Sequence, residues 1–430
     1  MGNLTDKIKQ LYPVKKLMPF LRGVKAAVKD ISTVPYFMKA SLKHTGHNGK
    51  IRVVFLCQYV PAWNKFKSLY DIMKKDKRFR PVIVCIPIDM HDHRLDDPNN
   101  TVNDTYEYFV KNGYDAVNAL TGVESWLELK SLSPDYVVYT RPYNSYLPEE
   151  YASYNVKKYA RICSLMYAIT MTKELYDTTI NDSFYKDVYV YFAETNYSVK
   201  FYRRKYPVTT SLGIKKCYFY GMPALEQILL DKGTHGHSWD FSQNTFRVMW
   251  TPRWTTDPKL GGSNFFVYYQ SILDYASKHA DMDFLIRPHP LTFENFLRTG
   301  EMTEEQVQAY KDKIAAMDNA SLDSEKEYDA TIWESSVLLS DISGFMPEYF
   351  VTGKPIIFCA SNMYVHPVEH TRKMLEGCYI ANTPEEAYGY LEQLKNGIDP
   401  LKEKRKHLIK EVFGKDLGQA SAKIVEKMAK

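Results

Sequence analysis

From residue 51 onward the chain alternates short, almost wholly apolar segments with stretches of helical character, and it does so in two series. In the first, residues 51–59 (IRVVFLCQY), 81–88 (PVIVCIPI), 136–140, 160–167, 188–192 and 217–220 read as strands, with a helix over 65–74. In the second, strands are predicted at 246–250, 284–287, 337–339 and 355–359, with a helix over 265–279. A strand that is apolar on every side chain needs cover on both faces, which is the situation in a parallel sheet between two layers of helices. Between the series, around residues 230–245, apolar density drops. Because 430 residues exceed one ordinary core, the expectation is a two-domain α/β protein. It comprises two Rossmann-like doubly wound parallel sheets facing a cleft, over 50–230 and 245–405, with a basic helical extension at 1–49 and a helical segment at 406–430. Two helix starts are marked by their residues, Thr303 with Gln306 and Thr383-Pro384-Glu385-Glu386.

Charge is informative by place. Residues 1–50 hold ten Lys or Arg against Asp6 and Asp30, a net of +8, while the whole chain nets +5, which leaves 51–430 at −3. A slightly acidic body does not suit nucleic acid, which wants a basic surface on the folded domain. Within 4–29, Ile8, Leu11, Leu17, Met18, Leu21, Val24 and Val28 share one helical face with lysines on the other, and Pro13 and Pro19 are expected to split the helix. Such a start suits the anionic inner face of a membrane, where each Lys or Arg contributes ~1 kcal/mol; the alternative is a helix packed on the protein with a solvated face. Lysines interrupt any secretory h-region, and Asp6 stands where a myristoylation motif needs Ser or Thr. No apolar run approaches the ~18–20 residues of a bilayer span. The six cysteines show no CxxC and no metal-ligand spacing, so reduced, buried thiols of a cytoplasmic protein are expected.

Ligands of open parallel sheets bind beyond the carboxyl ends of the strands. Three segments of the second series fall there. Phe284-Leu285-Ile286-Arg287-Pro288-His289-Pro290 brings Arg287 and His289 to a strand end, with prolines fixing the backbone, a pairing suited to an anionic substrate. Ser340-Asp341-Ile342-Ser343-Gly344 leads from a strand into a helix that Ser343 can cap, and Gly344 leaves room for a phosphate at its N–H groups. Thr251-Pro252-Arg253-Trp254 follows another strand and offers Arg253; Lys354 adds charge beside Pro355. The P-loop, GxGxxG and HExxH patterns are missing, no cofactor is expected, and no ligand set argues for a metal. His91-Asp92-His93 and His235-Gly236-His237 read as exposed polar loops.

Taken together, RPHP at 287–290, SDISGFMPEYFVTGKPIIF at 340–358 and GMPALEQI at 221–228 resemble the CDP-glycerol glycerophosphotransferase family, the enzymes that build teichoic acids and related phosphate-linked surface polymers. The resemblance covers roughly residues 185–425. It implies a GT-B-type fold with the nucleotide donor held by the C-terminal domain. It places Arg287 and His289 near the donor diphosphate and Ser340, Asp341, Ser343 and Gly344 in its phosphate-binding turn. Arg253 falls in its Pro-Thr-Trp-Arg segment, here Thr-Pro-Arg-Trp, and Glu348 and Lys354 match an acidic position and a Lys-Pro that follow. The family's N-terminal Trp-His-Gly, whose His is the expected base, is absent; the region reads Thr140-Arg-Pro-Tyr-Asn-Ser-Tyr-Leu-Pro148. The chain is therefore similar to a divergent branch.

The implied activity is transfer of a phospho-alditol, most simply glycerol phosphate, from a CDP-alditol donor to a lipid-linked or polymeric glycan acceptor. It would take place at the inner face of a bacterial cell membrane reached through residues 1–30. His289 is the expected proton or hydrogen-bond donor to the leaving phosphate, and Asp135 is the candidate base. Two alternatives stand beside it: a GT-B glycosyltransferase using a nucleotide sugar, and a silent module that binds the acceptor for a partner enzyme.

Overall fold

The protein is described here by a computed structural model at residues 12–42, 46, 49–58, 60–87, 103–122, 125–180, 182–325 and 327–430. The described chain forms two compact units. The second comprises residues 168–179 and 221–420, and the first contains the rest, including 421–430. The division thus falls earlier than the polar stretch at 230–245, which lies inside the second unit, where Trp239 is fully buried. His91-Asp92-His93 lies outside the described residues.

In the first unit, strands β1 (Ile51–Cys57), β2 (Phe79–Cys85) and β3 (Ala116–Asn118) are followed by a separate antiparallel pair, β4 (Leu120–Gly122) and β5 (Ser125–Trp126). Then come β6 (Tyr136–Tyr139), β7 (Arg161–Leu165), β8 (Val190–Phe192) and β9 (Lys216–Tyr218). The sheet order is β3-β2-β1-β6-β7-β8-β9, and every pairing is parallel. Phe55, Trp63, Tyr70, Phe109 and Tyr114 form a web of edge-to-face rings on one of its sides. Ile424, Val425 and Met428, from the helix Ala420–Met428, complete that core.

In the second unit, β10 (Arg247–Thr251), β11 (Asp283–Ile286), β12 (Ala320–Leu322), β13 (Val337–Ser340), β14 (Ile356–Cys359) and β15 (Tyr379–Ala381) pair in the order β12-β11-β10-β13-β14-β15. All are parallel. This is the doubly wound order, with strand succession reversing between β10 and β13. Residues 168–179 are tied in by a Thr172–Pro367 bridge and by His370 Nε2 at 3.0 Å from the Thr170 carbonyl.

Most expected elements are present, and three differ. Helix α1 (Tyr12–Ile31) runs unbroken through Pro13 and Pro19 and is followed by α2 (Val34–Leu42); a proline near a helix start removes only an N–H that has no partner there, and one further in costs a single bond. The 265–279 helix is two pieces, Phe265–Tyr268 and Ser271–Ala276, joined where Tyr269 and Gln270 keep right-handed angles. The helical segment expected over 406–430 starts at Lys402 and breaks at Gly414, whose φ of 85° ends the helix Lys402–Phe413. Both marked helix starts form, Thr303 and Gln306 as a reciprocal capping box. Among the described residues no helix is long and apolar enough to cross a membrane.

Candidate active site

The carboxyl ends of β10 and β13 lie side by side, with Thr251 opposite Ser340. This is the point in the second sheet where strand order reverses and the helices on either side diverge, leaving an opening. The pair is closed by hydroxyls. Thr251 Oγ1 donates to Ser340 Oγ at 2.7 Å, and Ser340 Oγ reaches the Thr251 and Asp341 carbonyls at 3.1 and 2.8 Å. Ser340 is fully buried and its hydroxyl is spent on these bonds, so it fixes the strand ends rather than meeting a phosphate.

Asp341, next in the chain, is also buried. Its carboxylate accepts four hydrogen bonds: from Arg253 N (2.9 Å), Ser263 Oγ (3.1 Å), Asn264 N (3.1 Å) and Asn264 Nδ2 (2.8 Å). Burial pushes its pKa above the ordinary carboxylate value, and these donors pull against that rise. Asn264 also donates to the Cys359 carbonyl at 2.9 Å and accepts from Asn362 N at 3.0 Å. One carboxylate thereby gathers the loops after β10, β13 and β14. It organises the site and offers no surface to an anion, which corrects the expectation that Asp341 binds donor phosphate.

The loop held this way carries Arg253. Its Nη1 donates to the Ile342 carbonyl at 2.8 Å and Nη2 to the Leu260 carbonyl, while Nε is buried with no hydrogen-bond partner among the described residues. Burial lowers its pKa, and the Asp341 charge opposes that shift. Gly261 and Gly262 take φ of 109° and 74°, and a Cβ on Gly261 would meet Arg253 Nη2 at 3.1 Å and Val365 Cγ1 at 2.7 Å. Only glycine lets this turn press against the guanidinium.

His289 follows β11 through Arg287-Pro288 and is exposed. Its Nδ1 accepts the Leu291 N–H at 3.2 Å, so in the neutral ring the proton sits on Nε2, which is left to donate. The Trp254 ring lies 6.4 Å away, centroid to centroid. Its pKa is lowered, first by crowding against protein and then by the positive charge of Arg253. An anion held between the two would reverse the second effect.

Ser343 and Gly344 lie at the same edge. Ser343 is half-buried with its hydroxyl 3.5 Å from Ser340 Oγ, and it does not cap the following helix: Gly344 occupies that position with no side-chain cap. A Cβ on Gly344 would meet only Ala168 Cβ at 3.7 Å, so sterics alone do not demand glycine there.

Other expected residues are engaged elsewhere. The Arg287 guanidinium pairs with Asp323, donates to the Glu325 carbonyl at 2.7 Å and lies 4.5 Å from the centroid of the Tyr328 ring, whose hydroxyl donates to Glu348 at 2.7 Å. Arg287 and Glu348 thus belong to one structural chain beneath the edge. Lys354 precedes β14 and sits at the amino edge of the sheet. It donates to the carbonyls of Ile332, Trp333 and Ser335 at the end of the helix Asp329–Glu334, and burial brings its pKa down to about 8. It caps a helix and is removed from the donor site. Asp135 is likewise corrected: it precedes β6 at the amino edge of the first sheet, where it accepts Gly46 N at 3.1 Å and Arg52 N at 2.9 Å. Ser263, Asn264 and the Gly261-Gly262 turn are not among the residues expected from sequence; the paired glycines were the available signal. Among the described residues, His235, His237 and Asp240 bring ligand atoms within 4.8 Å of one another, all exposed, with His237 Nδ1 2.9 Å from Asp240 and His235 also meeting Glu334.

No family model matches the sequence, and no curated protein matches it. Solved structures do share its fold. A UDP-GlcNAc 2-epimerase from Neisseria meningitidis, solved with UDP-GlcNAc, is 16% identical with a TM-score of 0.58 over 88% of this chain and 99% of its own. The wall teichoic acid polymerase TagF is 15% identical with a TM-score of 0.56 over 97% and 98%. MnaA of S. aureus, solved with UDP, is 14% identical with a TM-score of 0.56 over 88% and 96%. At these identities the likeness establishes the two-domain, GT-B-like α/β fold.

Proposed function

We propose that the protein is a GT-B-type transferase that moves a phospho-alditol, most simply glycerol phosphate, from a CDP-activated donor to a lipid-linked or polymeric glycan acceptor, releasing CMP. The observation that carries this reading is the strand-end pairing of Arg253 with a His289 whose Nδ1 is occupied and whose Nε2 is left to donate. An acceptor hydroxyl attacks the alditol-bearing phosphorus and releases its proton to solvent. The new P–O bond forms as the bond to the bridging oxygen breaks, and the CMP phosphate leaves. Such a transfer depends on positioning and on stabilising charge at the leaving oxygens. Arg253 supplies a fixed positive charge, Ser343 and the exposed Gly344 backbone supply neutral contacts, and His289 Nε2–H donates to the departing oxygen. Arg287 and Glu348 hold the strand end from which His289 projects. The basic, amphipathic helix α1 brings the enzyme to an anionic membrane that carries the acceptor.

A second reading, transfer from a nucleotide sugar, is favoured by the fold neighbours solved with UDP-GlcNAc and UDP; the same Arg and His could serve that diphosphate. Nucleotide release measured over CDP-glycerol, CDP-ribitol and UDP-, GDP- and CMP-sugars, with a lipid-linked or short polymer acceptor, separates the two. Acceptor-dependent CMP release from a CDP-alditol is expected, falling about 10²–10⁴-fold in His289→Ala with nucleotide affinity held within about threefold. Release from a sugar donor alone sinks the phospho-alditol reading.

A further inference from the structure

At the amino edge of the first sheet, where β6 to β9 begin, lies a cavity of about 250 Å³. Its charged lining is Arg161, Lys216, Lys427 and Lys430, and among the described residues no Asp or Glu side chain lines it. Among the described residues Lys216 and Lys427 meet no carboxylate. Their ammonium groups lie instead 5.8 Å from the centroid of the Tyr189 ring and 4.6 Å from that of Tyr218. Arg161 is buried, faces the Tyr136 and Tyr189 rings at 5.6 and 5.0 Å, and donates to the Ala40 carbonyl at 3.0 Å. Like charges gathered around one small space repel each other, and a fold that keeps them together there focuses a positive potential on whatever enters. The tyrosine walls offer faces suited to the C–H side of a polyol.

The rim of this cavity is unlike that of a site for a soluble anion. Leu42, at the end of α2, lines it and is 83% exposed, and Met38 one turn earlier is half exposed. The preceding helix carries the same mixture. On α1, Phe20, Leu21, Val24, Val28 and Ile31 form an exposed apolar stripe with Arg22, Lys25 and Lys29 among them. That stripe is left uncovered because the helix is anchored through another side chain: buried Asp30 accepts Val208 N and Thr209 N, each at 2.8 Å, and Thr209 Oγ1 at 2.7 Å. Apolar side chains beside exposed cations are complementary to the acyl chains and phosphates of an anionic leaflet.

We infer that the cavity holds the phosphate of an anionic phospholipid headgroup, with Met38 and Leu42 entering the acyl region at its mouth. This rests on the membrane part of the reading above and is independent of which donor the active site uses. The test is sedimentation of the full chain with vesicles of phosphatidylcholine alone or mixed with phosphatidylglycerol. Lys216→Gln/Lys427→Gln is compared with Lys278→Gln/Lys402→Gln, a pair of exposed lysines on the second unit that removes the same charge. Wild type and the control pair are expected to bind mixed vesicles alike, and the cavity variant about tenfold or more weakly. The single substitutions Lys216→Gln and Lys427→Gln serve if the double variant melts early. Undiminished binding by the cavity variants overturns the headgroup site and leaves membrane attachment through α1 standing. Failure of wild type to bind mixed vesicles overturns both, with donor turnover unaffected. In parallel, inorganic phosphate is titrated against the melting temperature without lipid. A cavity-dependent stabilisation there, with no difference on vesicles, assigns the site to a soluble phosphate and overturns the lipid.

Discussion

Asp341 and Asp135 are both buried carboxylates beside strands of parallel sheets, and both take hydrogen bonds from backbone N–H groups. They differ in which end of the strand they occupy. Asp341 follows β13, and the groups it gathers are loops, so satisfying it shapes a surface that includes Arg253. Asp135 precedes β6, and its donors Gly46 and Arg52 belong to the approach and the first residues of β1, so satisfying it only joins two strands where they start. In parallel sheets every strand end of one sense lies on one edge, and the same chemistry is put to opposite uses on the two edges. Lys354 makes the point for a cation: at the amino edge it closes off a helix end, whereas Arg253 at the carboxyl edge is held by two carbonyls beside the exposed ring of His289.

The strongest way to break this comparison is Asp341→Ala. Four donors lose their acceptor in a dry place, and a loss of about 3 kcal/mol or more is expected in denaturant unfolding, together with loss of nucleotide binding. Lys354→Met leaves three helix-end carbonyls without their shared donor. About 2 kcal/mol of stability should go with it while nucleotide affinity, measured by calorimetry, stays unchanged; a loss of affinity would return Lys354 to the donor site. Asp135→Asn keeps the shape and weakens two bonds. About 1 kcal/mol is expected from stability and nothing from turnover, and a tenfold fall in kcat would restore Asp135 as a base. The smallest effect is in protons. His289 has a lowered pKa in the free site, and a bound diphosphate raises it. Binding therefore takes up a fraction of a proton, and affinity tightens as pH falls towards the raised pKa of the bound state. Calorimetry in two buffers of different ionisation enthalpy should show that uptake in wild type and none in His289→Asn.

Much of this was legible in the residues. Strands apolar on both faces can be read locally, and so can a charged residue placed just after one, as Arg253 and His289 are. The roles of Asp341 and Ser340 were misread because their partners stand 77 to 89 positions away, and spacing carries no record of a carboxylate already satisfied by Asn264 and Ser263. Lys354 was misplaced for a simpler reason. It stands before its strand, and a Lys-Pro carries no arrow saying which edge it faces. Helix α1 shows the converse: two prolines argue locally for a break, yet the helix continues, with Asp30 fastened to Val208 and Thr209 near its far end.

The path of the chain between the two units has a consequence for synthesis. Residues 421–430 return to the first unit and supply Ile424, Val425 and Met428 to its core, whereas the second unit is complete by Ala420. A ribosome that delivers residues in order therefore finishes the second unit's hydrophobic interior before the first unit's. The half that begins first must wait, its core lacking Ile424, Val425 and Met428, until the last turns of helix emerge. That reverses the order in which domains of a growing chain ordinarily close.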